Sequence, residues 1–343
     1  MMKLLDTDFH VENLHIKQDF STGMIAIIAI HNLNNGPALG GCRFVPYQTV
    51  DDAILDAMRL ARAMTYKSAM AGLPLGGGKA VIISRPDIKD RKKLLEAFGE
   101  FVNTLNGKYI TASDSGTNEE DMKIVATRTK FVTSINKRSD VTDDTAAMTA
   151  AGLMRAIEAA VEFRFKKNNL EGIHVAIQGV GSVGLRLAKL LVEKGAKLSI
   201  TDKNENVLMS CAKELSATIV DPNEIATIDC DIFSPCALGG ILNETSIDQM
   251  KAAIICGAAN NQLQTNEDGE ALRKKDIIYV PDYVANAGGV ICAAAQAGVI
   301  TKEDSYQKVS NIYQSVLEVL NMAKTLTLST HLVANQVAEK RFA

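Results

Sequence analysis

Two lysines twelve residues apart flank a run of three glycines. Lys67 closes Met64-Thr65-Tyr66-Lys67, and Lys79 follows Gly76-Gly77-Gly78 directly. Lysines are ordinarily solvated, so a pair of surface charges is the plain alternative. Lys79, however, leads into the apolar run Ala80–Ile83, which reads as a buried strand. A lysine taken out of water beside a second cation gives up its proton more readily. A neutral amine near working pH is a general base. The glycines, having no side chains, would let a ligand press against the backbone. Asp114 stands at the end of another apolar run, Tyr109–Ser113. Alone it would cap a turn; beside the lysines it is a candidate proton carrier.

A second constellation lies in the other half of the chain. Gly179-Val180-Gly181-Ser182-Val183-Gly184 follows the apolar run VAIQ and runs into the helical pattern of residues 183–195. Between a strand and a helix, Gly179 allows the tight turn. Gly181 lets a pyrophosphate approach the helix N-terminus, and Gly184 lets helix and strand pack closely. Asp202 ends the next strand, where a carboxylate binds ribose hydroxyls and repels a 2′-phosphate. This predicts NAD rather than NADP, with Lys203 beside the acid able to tolerate some NADP.

These groups need elements to hold them. The spacing predicts a strand over 24–32, a helix over 50–64 and a Gly-rich turn over 72–78. A strand over 79–84 and a helix over 91–106 follow, then a strand from 109 and a short strand over 131–135. In the first helix Ile54, Met58, Leu60, Ala61 and Met64 fall near one face. The polar stretch 136–145 marks a domain boundary. Beyond it a helix over 146–164 gives way to alternating strands and helices, which mean a mostly parallel, doubly wound sheet. Residues 302–327 and 329–343 read as two final helices.

With 343 residues, 47% of them hydrophobic, the chain is long enough for roughly two domains and a core that needs no disulfides. A formal charge of −3 with no basic block argues against nucleic acid as partner. The six cysteines form no CxxC pair and read as buried thiols of a reducing cytoplasm; the five histidines lack metal-ligand spacing. Neither a secretory leader nor a membrane-spanning run is visible, so a cytoplasmic location is expected.

Several stretches together resemble the amino-acid dehydrogenases of the glutamate, leucine, phenylalanine and valine family, most nearly its leucine-type subgroup. They are GPALGGCR (36–43), MTYKSAMAGLPLGGGKAVI (64–82), YITASDSGTNEEDM (109–122), QGVGSVG (178–184), DIFSPCALGGILN (231–243), GAANNQL (257–263) and PDYVANAGGVI (281–291). The resemblance implies an α/β fold of two domains with a cleft between them. One is a mixed-sheet substrate and oligomerisation domain over 1–138, on which 329–343 packs back. The other is a Rossmann-type domain over 139–328. It implies NAD-dependent, reversible oxidative deamination of an L-amino acid to a 2-oxo acid and ammonia, in a homo-oligomer of two to eight subunits.

Carried onto this chain, Lys67 binds the substrate carboxylate with Asn261, Lys79 activates water, and Asp114 shuttles protons. Thr149 holds the nicotinamide amide, and Cys236, Ala237, Ala258 and Asn260 line the cofactor site. Leu39, Gly40, Met64, Ala112, Val290 and Ala293 surround the substrate. Leu39 and Ala293 stand where glutamate enzymes of the family carry a lysine and a serine, so a charged side chain is disfavoured. The family's proline before the Thr149 segment is absent here, and Ser113 replaces an acid frequent in leucine enzymes.

Leucine is expected first, with phenylalanine or tryptophan as the alternative, since Ala293 leaves extra room. A non-catalytic NAD-binding regulator would have no need of a desolvated lysine pair. A 2-hydroxy-acid dehydrogenase would need a histidine at the site, and His174, which opens the fingerprint strand, reads as structural.

Overall fold

The computed structural model describes residues 10–135, 144–237 and 239–343. The expected domain boundary at 136–145 falls almost wholly outside the described residues. The chain divides into two compact units, one of Met1–Asp143, Cys292–Ser305 and Ala338–Ala343, the other of Asp144–Ile291 and Tyr306–Val337.

The first unit is built on β1 (Asn13–Asp19), β2 (Met24–Asn32), β3 (Ala38–Val45), α1 (Val50–Met70), β4 (Gly76–Ile83), α2 (Arg91–Thr104), β5 (Tyr109–Ser113) and α3 (Glu119–Val125). Its five-stranded sheet has the order β1-β2-β4-β3-β5. β1 pairs antiparallel with β2, and β2 with β4, whereas β3 runs parallel to both β4 and β5. The sheet is therefore mixed. β2 reads as an unbroken apolar run because both its faces are covered. Ile28 and Ile30 meet the α2 residues Leu94, Leu95 and Phe98, while Ile27 and Ala29 meet the α1 stripe Ala53, Ile54, Ala57, Met58 and Ala61.

α1 starts where it does because Thr49 and Asp52 form a reciprocal capping box. Its C-terminal end is held by the chain terminus. Arg341 donates to the carbonyls of Ala69 and Met70, and the Tyr66 hydroxyl donates to Glu339 at 2.6 Å. The run FVTSI forms only an isolated bridge, Thr111 to Val132, rather than the expected strand: Phe131 and Thr133 exchange backbone hydrogen bonds with Thr111 and the pairing goes no further.

The second unit contains α4 (Thr145–Phe165), β6 (His174–Gln178), α5 (Ser182–Glu193), β7 (Lys197–Thr201), α6 (Glu205–Leu215), β8 (Thr218–Ile219) and β9 (Ile232–Pro235). After these come α7 (Glu244–Gln249), β10 (Ile254–Ile255), α8 (Asn266–Lys274), β11 (Ile278–Tyr279) and α9 (Asp282–Ala285). α10 (Gly288–Gln296), α11 (Lys302–Leu326) and α12 (Thr330–Phe342) complete the chain, each crossing a division between the units. The six strands are all parallel in the order β11-β10-β9-β6-β7-β8. That order reverses direction at β6, the arrangement of doubly wound dinucleotide-binding sheets, whose ligands lie beyond the carboxyl ends of the strands. Among the described residues no helix is long and apolar enough to cross a membrane.

Candidate active site

In the first unit, strand register decides which side chains share a face. Leu39 pairs with Gly77 and Ile110, Arg43 with Val81, Gly41 with Ala112, and Ala29 with Lys79. Leu39, Arg43, Lys79 and Ala112 therefore lie on the face that α1 covers, together with Ile27 and Val81. The triple glycine is part of β4 rather than a turn before it, which corrects the expectation. Its bareness also serves the protein's own packing more than a ligand's approach. A Cβ on Gly77 would lie 2.0 Å from the Thr65 nitrogen of α1, and one on Gly78 would lie 2.8 Å from the Tyr109 ring. The glycines thus bring the half of α1 that carries Met64 and Lys67 down onto the strand that carries Lys79. Met64 and Lys67 are both half-buried there. Gly40 lies on the opposite face from Lys79, where a Cβ would strike the Gly78 carbonyl; its own carbonyl accepts from the Tyr109 hydroxyl at 2.6 Å.

Lys79 and Asp114 meet. The Lys79 Nζ lies 2.7 Å from Asp114 Oδ2; the lysine side chain is 7% exposed and the aspartate 24%. The same Oδ2 accepts from Arg43 Nε at 3.1 Å, and Arg43 Nη1 reaches Asp56 Oδ2 at 2.8 Å. Asp56 also accepts from the Tyr47 hydroxyl and from Arg59, both at 2.7 Å. Thr117 fixes the backbone beneath Asp114: its Oγ1 accepts from the Asp114 nitrogen at 2.9 Å and donates to the Cys42 carbonyl at 2.8 Å.

Burial pushes Lys79 below the usual lysine range; Asp114 pulls it back up and Arg43 pushes it further down. Burial raises the Asp114 carboxyl, but Lys79 and Arg43 outweigh that and hold it below the usual carboxylate range. The cation acting on Lys79 across the aspartate is Arg43, a residue the sequence reading quoted within a motif without a role. Its partner Asp56 comes from a different element with no spacing signal. A buried amine in contact with a partly exposed carboxylate can take a proton from a bound molecule and pass it toward solvent. Ala293 belongs to the same unit: its carbonyl accepts from Thr133 Oγ1 at 3.2 Å, and the Thr133 nitrogen donates to Thr111, next to Ala112.

In the second unit the predicted cofactor residues other than Thr149 follow the carboxyl ends of β6, β7, β9 and β10. Gly179 has φ +97°, which only glycine adopts without strain, and a Cβ there would lie 2.8 Å from that of Ala237. Gly184 packs against the Gly179 carbonyl with no room for a Cβ, and next to Cys236; beside Gly181, by contrast, there is open space. Gly181 caps α5 without a side chain, so the amides of Ser182, Val183 and Gly184 are the unpaired first-turn donors of that helix. Asp202 pins the turn, accepting from the Val180 nitrogen at 2.8 Å.

Thr149, buried on α4, donates its hydroxyl to the Thr145 carbonyl at 2.7 Å, which leaves its oxygen free to accept from an amide. In place of the absent proline, Asp144 caps α4 and ion-pairs with Arg186 of α5 at 2.6 Å. Asn260 and Asn261 are exposed, the latter with φ +52°. Buried Asn286, which the sequence reading did not single out, donates to the Ala258 carbonyl and to Asn260 Oδ1 at 3.0 and 2.9 Å. Val290 is buried on α10. His174 is structural, its Nε2 lying 2.9 Å from Ser199 Oγ. An open glycine turn, unpaired helix-start amides and an acid one strand over form a cradle that fits the pyrophosphate and ribose of a dinucleotide.

Comparison with known proteins agrees. A family model for the Glu/Leu/Phe/Val dehydrogenase dimerisation domain matches residues 9–131, and the Glutamate/Leucine/Phenylalanine/Valine dehydrogenase model matches 142–209 and 198–342. The chain is 43% identical to leucine dehydrogenase of Geobacillus stearothermophilus over 99% of its own length and 93% of the relative's. It is 41% identical to phenylalanine dehydrogenase of Lysinibacillus sphaericus, over 96% and 88%. The crystal structure of L-tryptophan dehydrogenase from Nostoc punctiforme superposes with a TM-score of 0.88 at 39% identity, covering 98% of this chain and 96% of that one. With a buried lysine–aspartate pair on one sheet and a dinucleotide cradle on the other, this chain belongs to the glutamate/leucine/phenylalanine/valine dehydrogenase family and is an amino-acid dehydrogenase.

Proposed function

We propose that the protein catalyses the NAD-dependent, reversible oxidative deamination of branched-chain L-amino acids, leucine first, to the 2-oxo acid and ammonia. The observation that carries this reading is the contact between buried Lys79 and Asp114 on a sheet face that also bears Leu39 and Ala112. Such a face offers a base and a proton carrier to the Cα substituents and apolar contacts to the side chain. Leu39 and Ala293 provide no partner for a side-chain carboxylate, which would be desolvated without compensation.

The nicotinamide dinucleotide supplies the hydride acceptor when bound. Gly179 to Gly184 and the start of α5 hold its pyrophosphate, Asp202 its ribose, and Thr149 its amide, with Cys236, Ala237, Ala258 and Asn260 alongside. Lys67 ion-pairs with the substrate carboxylate, helped by Asn261. Neutral Lys79 takes a proton from water at its Nζ as the water oxygen adds to the imine carbon of the oxidised substrate. Asp114 relays that proton from the Lys79 Nζ to the substrate nitrogen, and Lys79, neutral again, takes the hydroxyl proton as the carbonyl forms and ammonia leaves. Asp202 supports NAD over NADP, because a 2′-phosphate would meet like charge. We assign 1–138 with 329–343 to substrate binding and oligomerisation and 139–328 to the cofactor, in a cytoplasmic homo-oligomer.

The preference among apolar side chains rests on pocket volume. Ala112 narrows it and favours leucine, whereas small Ala293 favours the aromatic reading. One or two methylenes discriminate by about 1–3 kcal/mol, so overlapping substrates are expected. The test is kcat/KM for Leu, Ile, Val, Phe, Trp and Glu with NAD, with ammonia quantified. Leucine leading and glutamate inert supports the proposal; an aromatic substrate ahead tenfold replaces leucine with the second reading, and glutamate leading overturns both.

A further inference from the structure

Arg43 touches two carboxylates at once: its Nε reaches Asp114 and its Nη1 reaches Asp56. Asp56 in turn is bound by Arg59 and Tyr47. The charges of this cluster can be counted. Two guanidiniums stay protonated at any working pH. The two carboxylates stay ionised: despite burial, the Tyr47 hydroxyl and the two arginines hold Asp56 below its usual range, as Lys79 and Arg43 do for Asp114. Two positive and two negative charges cancel, so the cluster is neutral when Lys79 carries no proton. A proton on Lys79 is then the one uncompensated charge, on the most buried member of the set.

We infer that Arg43 is a positioning residue that locks the Asp114 carboxylate against Lys79 and supplies the positive charge that lets Lys79 rest unprotonated. The inference rests on the reading of Lys79 as the base. The geometry requires an arginine, because only a planar fork presents two donors in fixed directions to two separate carboxylates.

The other groups facing Lys79 do not supply this charge. On β3, Cys42 lies on the opposite face with Ala80, and burial holds it as the neutral thiol. β2 brings Ile25, Ile27, Ala29 and His31 to this face, and burial pushes His31 down to about 4, so that it adds no charge at working pH. On β5, Tyr109 is directed to the opposite face, with its hydroxyl on the Gly40 carbonyl. α1 brings Asp56 and Arg59, already counted, and Lys67 in its last turn, which the proposed reaction pairs with the substrate carboxylate.

The charge count makes an opposite-sign prediction that a merely structural arginine would not. Arg43→Gln leaves the cluster one charge more negative. The acid limb of kcat/KM for the amino acid should move to higher pH by about one unit, the usual effect of a nearby charge. Activity at neutral pH should fall about tenfold and be largely recovered at higher pH. Asp56→Asn leaves the cluster more positive, and its limb should move to lower pH. Arg43→Lys keeps the charge and should return the limb toward the parent's position while kcat stays depressed.

The substrate's own amino group titrates identically in every variant, so differences between variants belong to the enzyme. Limbs that superimpose on the parent's, or that shift in the same direction for Arg43→Gln and Asp56→Asn, overturn the inference. If Arg43→Gln fails to fold, the sign of the Asp56→Asn shift decides alone. Lys79→Ala separates the two levels. Parent-like turnover in Lys79→Ala refutes the reading of Lys79 as base; an inactive Lys79→Ala with unmoved limbs in the other variants refutes only the role of Arg43.

Discussion

The two sheets of this protein handle polar chemistry in opposite ways. In the first unit, charged side chains meet between the face of a sheet and the helix that roofs it: Lys79, Asp114, Arg43 and, from the helix, Asp56 pair with one another where little water reaches. In the second unit the polar groups are mostly backbone: bare glycines, unpaired helix-start amides and one aspartate, all at strand ends. Burial shifts protonation equilibria, so the first arrangement suits proton transfer. Exposed amides at a helix start attract a phosphate without any ionisable side chain, so the second suits holding a dinucleotide. The comparison predicts that substitutions in the first unit act on turnover and its pH dependence, and those in the second on cofactor affinity.

The largest effect should come from Lys79→Ala. Removing a general base lowers kcat by about 10²–10⁴-fold. Dinucleotide affinity, followed by fluorescence titration, should stay close to the parent's. Next comes Gly179→Ala, the mirror case. A side chain at φ +97° carries a left-handed penalty of about 1–2 kcal/mol, and its Cβ would crowd Ala237. The KM for the dinucleotide should rise about 5–30-fold while kcat at saturation changes little. If kcat fell instead, the division of labour between the sheets would be wrong.

How legible all this was in the sequence depended on whether a residue's partner was local. β2 could be read to the residue because both faces are buried and the apolar run is unbroken. The glycine turn of the second unit was equally plain, since strand, turn and helix follow one another. β3 was missed: Gly40 and Gly41 interrupt its apolar run, and it is a strand because β4 and β5 flank it. β1 was missed because an edge strand with one open face, NLHIKQD, carries mostly polar residues. The triple glycine was misread because its partners, Thr65 and Tyr109, come from other elements. Arg43 was invisible as a participant for the same reason.

Two smaller effects sharpen the comparison. Asp202→Ala should narrow the preference for NAD over NADP by about tenfold in kcat/KM, by removing like-charge repulsion; an unchanged ratio would reduce Asp202 to a clamp on the Val180 amide. Last comes His31, half-buried between Tyr66 and Phe342, 2.9 Å from the Thr65 hydroxyl. Burial, with Arg62 nearby, pushes it down to about 4. Its folded value lies below its unfolded one, so the unfolded chain binds the extra proton. The contribution to stability is present above about pH 6.5 and is lost as pH falls toward 4. His31→Gln should therefore flatten the fall in urea midpoint between neutral pH and pH 5; an equally steep fall would place the titrating group elsewhere.

The claim on which the account turns is that burial on the sheet face makes Lys79 a neutral base. The direct measurement is the pH dependence of kcat/KM for leucine in the parent enzyme beside the residual activity of Lys79→Ala. The account predicts an acid limb in the parent that contains the Lys79 titration, below the ordinary lysine value, and in the variant only the limb of the substrate's own amino group. A limb that persists unchanged in Lys79→Ala would contradict it.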